Sequence, residues 1–496
     1  MNICVAQQRR DVTDTPAGLG LVAGVGSALA LLATYWDDSW HTDKGRDEFA
    51  IPPHLLLYSG VLLAALAVAA WGLLAWRRAG FGVQGLRVVL ATPALLLAGI
   101  GGAATLASGP VDAAWHEAYG RDAVLWSPPH LSAVMGTLAL SVGVLAGLRD
   151  APGPLGRTAR LLAAAGVIAT LQVPVLEYDS DVPQFAVLWF LPVAALGVVV
   201  AVALLDDLLP GRWEAASAAV LYTVLRAATV GFLAVTGFSL TAVPPIAVLF
   251  VAVALLRRQP LSVRLIAAGA AAPLVWWPFL RLQAEVTTVV PASLLPASVA
   301  LGAAAGLLVA IAHGDLRWRP GPPAHATAVV VLTVTLLALP TLQGAAFAHD
   351  PGQGEQIRAG ELTVTRSGDD AQITMLLASP CEGLTPVGTV ARRAGDTRRG
   401  PVRLVGDGDR CRVQGSVTGL TPGRWFVYAE LRDGQGRPLE AWLPVAAGET
   451  ATETRPLYAP PATAGAATQK VAGAALLAVA AGLVVACLRL SRKSAR

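Results

Sequence analysis

Methionine is almost missing from this chain. In 496 residues it occurs only as Met1, Met135 and Met375. A ladder of thioethers able to pass a soft metal ion through a bilayer is therefore excluded. Cysteine is nearly as scarce, with four residues and no Cys-x-x-Cys pair. That removes the redox and haem-attachment motifs built on such a pair. There is no Gly-rich phosphate loop with its Lys and no Ser-centred nucleophile elbow. Charged residues make up only 14% of the chain. No basic stretch interleaved with aromatics suggests a nucleic-acid partner.

What is present is mostly apolar. Hydrophobic residues make up 54%, which predicts a polytopic α-helical membrane protein whose first partner is the lipid bilayer. A span takes about 20 residues, and about twelve windows qualify between residues 17 and 488, among them 241–256 and 326–346. The first window reads as a span rather than a cleaved signal, because no small-residue cleavage site precedes Asp37. Basic residues fall at alternate span ends, at Arg9 and Arg10, Arg77 and Arg78, Arg149, Arg257 and Arg258, and Arg489 and Arg492. The positive-inside rule then puts both termini in the cytoplasm, for a multi-pass protein of the cytoplasmic (inner) membrane. Loops 37–53 and 109–129 and the segment 349–462 fall outside. Cys381 and Cys411 lie in that oxidising segment and are expected to pair, while Cys4 and Cys487 stay reduced.

Four blocks follow. Residues 1–210 hold six spans and residues 211–348 hold five more. Residues 349–462 turn rich in Gly, Asp, Arg and Thr, and residues 463–496 form a last membrane anchor with a basic tail. In the third block RWFVYAEL and RPLEAWLPV flank a Gly-containing turn, and GELTVTRSGDDAQITMLLAS reads as a second hairpin. The expectation is an extracytoplasmic antiparallel β-sandwich of about seven strands.

Histidine, with seven residues, is spent in a pattern. DDSWHTDKGRDEFAIPPH runs from Asp37 to His54, and DAAWHEAYGRDAVLWSPPH from Asp112 to His130. Asp37 and His41, like Asp112 and His116, are four apart and share a face if helical. His54 and His130 each follow Pro-Pro, which suits the first turn of the next helix. Each set, Asp37–His41–His54 and Asp112–His116–His130, gathers two imidazoles and a carboxylate at an outer span end. Such a donor set suits copper, zinc, nickel or iron and leaves coordination positions open. Trp36, Trp40, Trp115 and Trp126 fit an interfacial aromatic belt. Arg46, Asp47, Arg121 and Asp122 are also shared by the copies. They read either as ion pairs that fix the loops behind the ligands or as plain surface charge.

The repeat Asp-x3-His-x12-His with Asp-x3-His-x13-His resembles the C subunit of the particulate methane and ammonia monooxygenases, over residues 15–210 only. The resemblance implies copper at both sets, with zinc or iron as alternatives, and a complex with other monooxygenase-like subunits. It implies oxidation of a small apolar substrate. The second set departs from the family, with Asp112 where an Asn stands there. The later spans and the β block have no counterpart in that subunit. The β block is similar in size and placement to small cupredoxin-like, CopC-like or YtkA-like sandwiches, but it contains no histidine after His349. His349 is an additional metal contact or a plain juxtamembrane histidine. A second functional reading is copper handling at the cell surface, in uptake, storage, delivery or sensing, with copper chaperones as partners.

Three further features remain. LEYDSDVP places Glu177, Asp179 and Asp181 after the fifth span, as a solvated loop or as carboxylates facing the metal sets. Arg226 is a charge inside a span, a functional hypothesis by default that sequence leaves without a partner. His313 and His325 read as interfacial.

Overall fold

A computed structural model describes residues 14–44, 50–119, 125–183, 186–315, 355–393, 396–459 and 466–495, and the statements below concern those residues. Ten of their helices are long and apolar enough to cross a membrane. The window 241–256 instead holds a short helix, Ile246–Leu255, entered from an irregular stretch that ends in Pro244 and Pro245. Two consecutive prolines remove backbone donors and stop helix from starting earlier. The window 326–346 lies outside the described residues, as do His325 and His349, Arg46, Asp47, Arg121 and Asp122.

Helices α1 (Ala17–Lys44) and α2 (Pro52–Arg78) form the first hairpin. A short helix, α3 (Gly82–Leu90), leads to α4 (Pro93–Tyr119) and α5 (Pro128–Gly147), the second hairpin. Helix α6 (Gly153–Gln172) continues through a 3-10 turn into a last helical turn, Leu176–Asp179. α1, α2, α4, α5 and α6 touch in that cyclic order and close a five-helix ring. Outside it stand α7 (Phe190–Leu208), α8 (Glu214–Thr236), α9 (Ile246–Leu255), α10 (Leu261–Leu282) and α11 (Leu295–His313). The C-terminal α12 (Ala466–Ala495) packs on α5 and α7.

The expected loops 37–53 and 109–129 are shorter than their polarity suggested. α1 runs on to Lys44 and α4 to Tyr119, the latter through an internal Pro110. Twenty-eight helical residues in α1 span about 42 Å, longer than a hydrocarbon core of about 30 Å. The polar last turns of α1 and α4 are thus helix that projects past the apolar layer.

Both hairpins cross at glycines. A Cβ on Gly26 would lie 2.5 Å from the carbonyl of Gly60, and one on Gly101 2.6 Å from that of Gly136. Only glycine lets the backbones come so near, the usual device for tight helix pairing in membranes. Gly26 and Gly101 are spaced as Asp37 and Asp112 are, and Gly60 and Gly136 as His54 and His130 are. The duplication therefore extends from the ligands to the hairpin crossings.

The β domain is antiparallel, as expected, but its nine strands form one sheet rather than two facing ones. They are β1 (Glu355–Ser367), β2 (Asp370–Leu377), β3 (Thr385–Arg393), β4 (Asp396–Gly400), β5 (Val402–Asp407), β6 (Arg410–Val417), β7 (Trp425–Arg432), β8 (Pro438–Val445) and β9 (Thr450–Ala459). The order is β4-β3-β7-β8-β9-β1-β2-β6-β5. Both predicted hairpins are present as β1–β2 and β7–β8. The edge strands β4 and β5 meet at Pro401, whose carbonyl accepts from the Ser416 amide and the Thr389 hydroxyl, so the sheet curls almost into a barrel. β4 is Asp-Thr-Arg-Arg-Gly and lacks an apolar face, which hides it from alternation counting. Cys381 and Cys411 are disulfide-bonded, tying the β2–β3 connection to β6.

This domain docks on the bundle end that carries the Asp–His motifs. The Arg393 guanidinium pairs with Asp181 at 2.5 Å, and the Arg424 amide donates to the same carboxylate at 2.9 Å. Arg455 donates to the carbonyls of Asp43 and Lys44, at the last turn of α1. Val182 packs with Val390, Phe426, Tyr428 and Trp442.

Candidate metal centre

The first set converges. On α1, Asp37 and His41 are one turn apart, and Pro52 and Pro53 start α2 so that His54 sits in its first turn. Asp37 Oδ1 is 3.4 Å from His41 Nε2 and 3.2 Å from His54 Nε2. One ligand atom from each residue lies within 4.8 Å of the others. Two ligands held about 2.1 Å from a tetrahedral ion stand about 3.4 Å apart, so these side chains fit one shared ion.

The second set is built alike. Asp112 Oδ1 is 3.3 Å from His130 Nε2. Ser127 caps α5 and accepts the His130 backbone amide, and Pro128 and Pro129 precede the histidine as Pro52 and Pro53 precede His54. His116 lies on α4, one turn beyond Asp112; its side chain is outside the described residues.

Both sets line one cavity of about 440 Å³ inside the five-helix ring. The repeat extends to its walls. Leu31 and Leu106, Thr34 and Gly109, and Asp37 and Asp112 are equivalent positions that all face it. So are His54 and His130, Leu57 and Ala133, Tyr58 and Val134, and Val61 and Thr137. Carboxylates and imidazoles form one tier. Below that tier the walls are aliphatic, with hydroxyls that satisfy themselves: Ser27, Thr34 and Thr170 donate to Ala23, Ala30 and Gly166 on their own helices.

The acidic stretch after α6 is not a solvated loop. Glu177, Asp179 and Asp181 are all buried, each with a separate task. Glu177 lines the cavity, accepts the Leu125 amide at 2.9 Å, and interacts electrostatically with both Asp38 and His130. It therefore stands between the two sets. Asp181 holds the β domain. Asp179 lies close enough to feel the charge of Arg226 on α8. Arg226 has the partners that the sequence left open. It lies over the Tyr35 ring at 3.3 Å and donates to the Thr241 hydroxyl at 2.9 Å and the Ala242 carbonyl at 2.5 Å.

The repeat does not mark Asp38, whose equivalent in the second copy is Ala113. Asp38 too lines the cavity and accepts from Ser180. The four tryptophans have two kinds of surroundings. Trp36 and Trp40 pack against Phe238, whereas Trp115 and Trp126 are buried in protein, and Trp126 Nε1 donates to the Pro174 carbonyl at 3.1 Å. His313 is not a free interfacial histidine; it pairs with Asp207 at 2.8 Å.

Fold and site define a polytopic helical membrane protein with a ligand-lined chamber in its bundle and a β domain over one end. No protein-family model matches the chain, and no curated protein matches it. A solved structure, the cytochrome c heme lyase CcmF, is similar at 16% identity over 94% of this chain and 98% of that one, with a TM-score of 0.16. A likeness that low carries no argument about fold or activity.

Proposed function

We propose that the protein binds copper at its Asp/His/His sets and acts there on an apolar substrate held in the chamber, as part of a complex. The observation that carries this reading is the shared cavity: Asp37, His41 and His54 of the first set and Asp112 and His130 of the second open into one space whose deeper walls are mostly aliphatic. Three protein ligands leave positions open for a small molecule, and aliphatic walls exclude the water that would compete for them. The resemblance of the repeat to the copper monooxygenases favours copper over zinc or iron. Copper would supply redox chemistry there. Asp37, His41 and His54 would hold it, Asp112 and His130 would hold a second ion, and Glu177 would fix the charge between them. Copper handling without catalysis is the weaker reading, because transfer of an ion gains nothing from an apolar chamber beneath the ligands.

We also infer that this tier lies at the outer face of the inner membrane, with both termini inside. The disulfide of the docked β domain supports that side, as do Arg77 and Arg78 at the far end of α2 from His54.

Elemental analysis tests the assignment. The purified chain should carry copper at up to about two ions, one for each three-ligand set. The His41→Ala, His116→Ala double variant should lose most of it. Copper content equal to that of the unmodified protein in this variant would sink the reading.

A further inference from the structure

The cavity is too large for the small substrate that the resemblance implies. A cavity needs only roughly 10–15 Å³ on this measure to hold one water, and this one has about 440 Å³. It is also long. Asp37 and Ser27 both line it, and ten residues of helix separate them by about 15 Å. That is the depth of one leaflet, half of a hydrocarbon core of about 30 Å. The floor is set where Gly166 on α6 faces Ser27, a Cβ there meeting the serine's Cβ at 3.5 Å.

The two hairpins do not share this space equally. At the equivalent wall positions the first hairpin carries Thr34, Leu57 and Tyr58, and the second carries Gly109, Ala133 and Val134. Each exchange removes side-chain volume from the second hairpin's wall, within about one turn of its ligands. Near the ligand tier the free room therefore lies on the α4–α5 side, while deeper down Thr105 stands where the first hairpin has Ala30 and Thr137 where it has Val61. The hydroxyls on that side are satisfied by the protein, Thr105 donating to the Gly101 carbonyl and Thr137 to that of Ala133, with the two hydroxyls 3.3 Å apart.

We propose that the chamber binds one unbranched alkyl chain of about the length of a leaflet's acyl chain, with one end at the ligand tier beside the second hairpin and the other at the floor. The inference rests on reading the chamber as a substrate site and names the class of that substrate: a single-chain amphiphile such as a long n-alkanol.

Photoreactive dodecanol, with a diazirine at the far end of its chain, tests this on the full-length protein in nanodiscs. Labelling read by peptide mass spectrometry should fall on the peptides that carry Ser27 and Gly166. Unlabelled dodecanol should compete at least about tenfold better than hexanol, a difference of roughly 1.4 kcal/mol. The Ala133→Leu, Val134→Tyr double variant gives the second hairpin the residues that the first already carries. It should lose about tenfold or more of the labelling while keeping its copper. Gly109→Thr gives the same exchange one helix away, so a folding failure in the first variant leaves the test intact. Undiminished labelling in both variants, or labelling confined to other peptides, overturns the proposal. Specific labelling of a wild-type chain that holds no copper would sustain the chain-binding site and overturn the metal function instead.

Discussion

Among single residues, Arg226 shows how far a sequence reaches. Its position inside a span marked it as a functional or structural charge, and no neighbour in sequence pointed to a partner. The groups around it come from three separate segments: the Tyr35 ring, the Thr241 hydroxyl with the adjacent Ala242 carbonyl, and the nearby charge of Asp179. Only tertiary packing brings these together. The Asp179 carboxylate is fully buried and accepts no hydrogen bond from a described residue, although its backbone carbonyl accepts the Ala242 amide. Its compensation is therefore the guanidinium charge. Removing a buried charge that compensates another leaves the second one stranded, which is strongly destabilising. Arg226→Met should lower the thermal midpoint in detergent sharply. Adding Asp179→Asn to it should recover a good part of the loss, since no carboxylate is then stranded. Equal midpoints for the single and double variants would refute the pairing.

At the scale of elements, the duplicated hairpin is the unit of design. The ligand spacing was legible because Asp-x3-His is a helical period and Pro-Pro-His is a helix start, and both signals are local. The extent of the duplication was not legible, since apolar spans resemble one another in composition alone. What reveals it is contact: Gly26 against Gly60, Gly101 against Gly136, and matched wall positions on one cavity. The crossing sets the angle at which α1 and α2 diverge, and so whether His41 and His54 converge on Asp37. Gly60→Val would force the backbones apart, with an overpacking cost of about 1–3 kcal/mol. The expected result is loss of about half of the bound copper, from the first set only. Gly72→Val serves as the control on the same helix, because a Cβ there meets only the Leu95 side chain at 3.8 Å. If both variants retain full copper, the crossing does not position the ligands.

The whole molecule joins a bundle to a curled sheet through few but charged contacts, and they fall on the elements that build the site. Arg455 completes the last turn of α1 by donating to the carbonyls of Asp43 and Lys44, and its guanidinium also lies over Trp442 of the sheet. A cation at a helix C-terminus satisfies carbonyls that lack intrahelical partners and opposes the helix dipole. Asp43 in turn accepts from the backbone amide of Ser239 at 2.6 Å, and Arg424 donates to the Ser239 hydroxyl at 2.9 Å. Asp181 is the other anchor, buried between Arg393, the Arg424 amide and the Thr288 hydroxyl. The β domain thus holds the ligand-bearing end of α1 from above, without contributing a histidine of its own after His349. Asp181→Asn should weaken two charge-assisted contacts at about 1.5–3 kcal/mol each. The core of the sheet should stay folded around Trp425 and its disulfide, because none of those contacts reaches the interface. Hydrogen exchange should then quicken at the backbone amides of β7 and at the last turn of α1 together, with β2 and β6 unchanged. Faster exchange in β7 alone would mean that the sheet docks on the bundle without steadying the ligand helix.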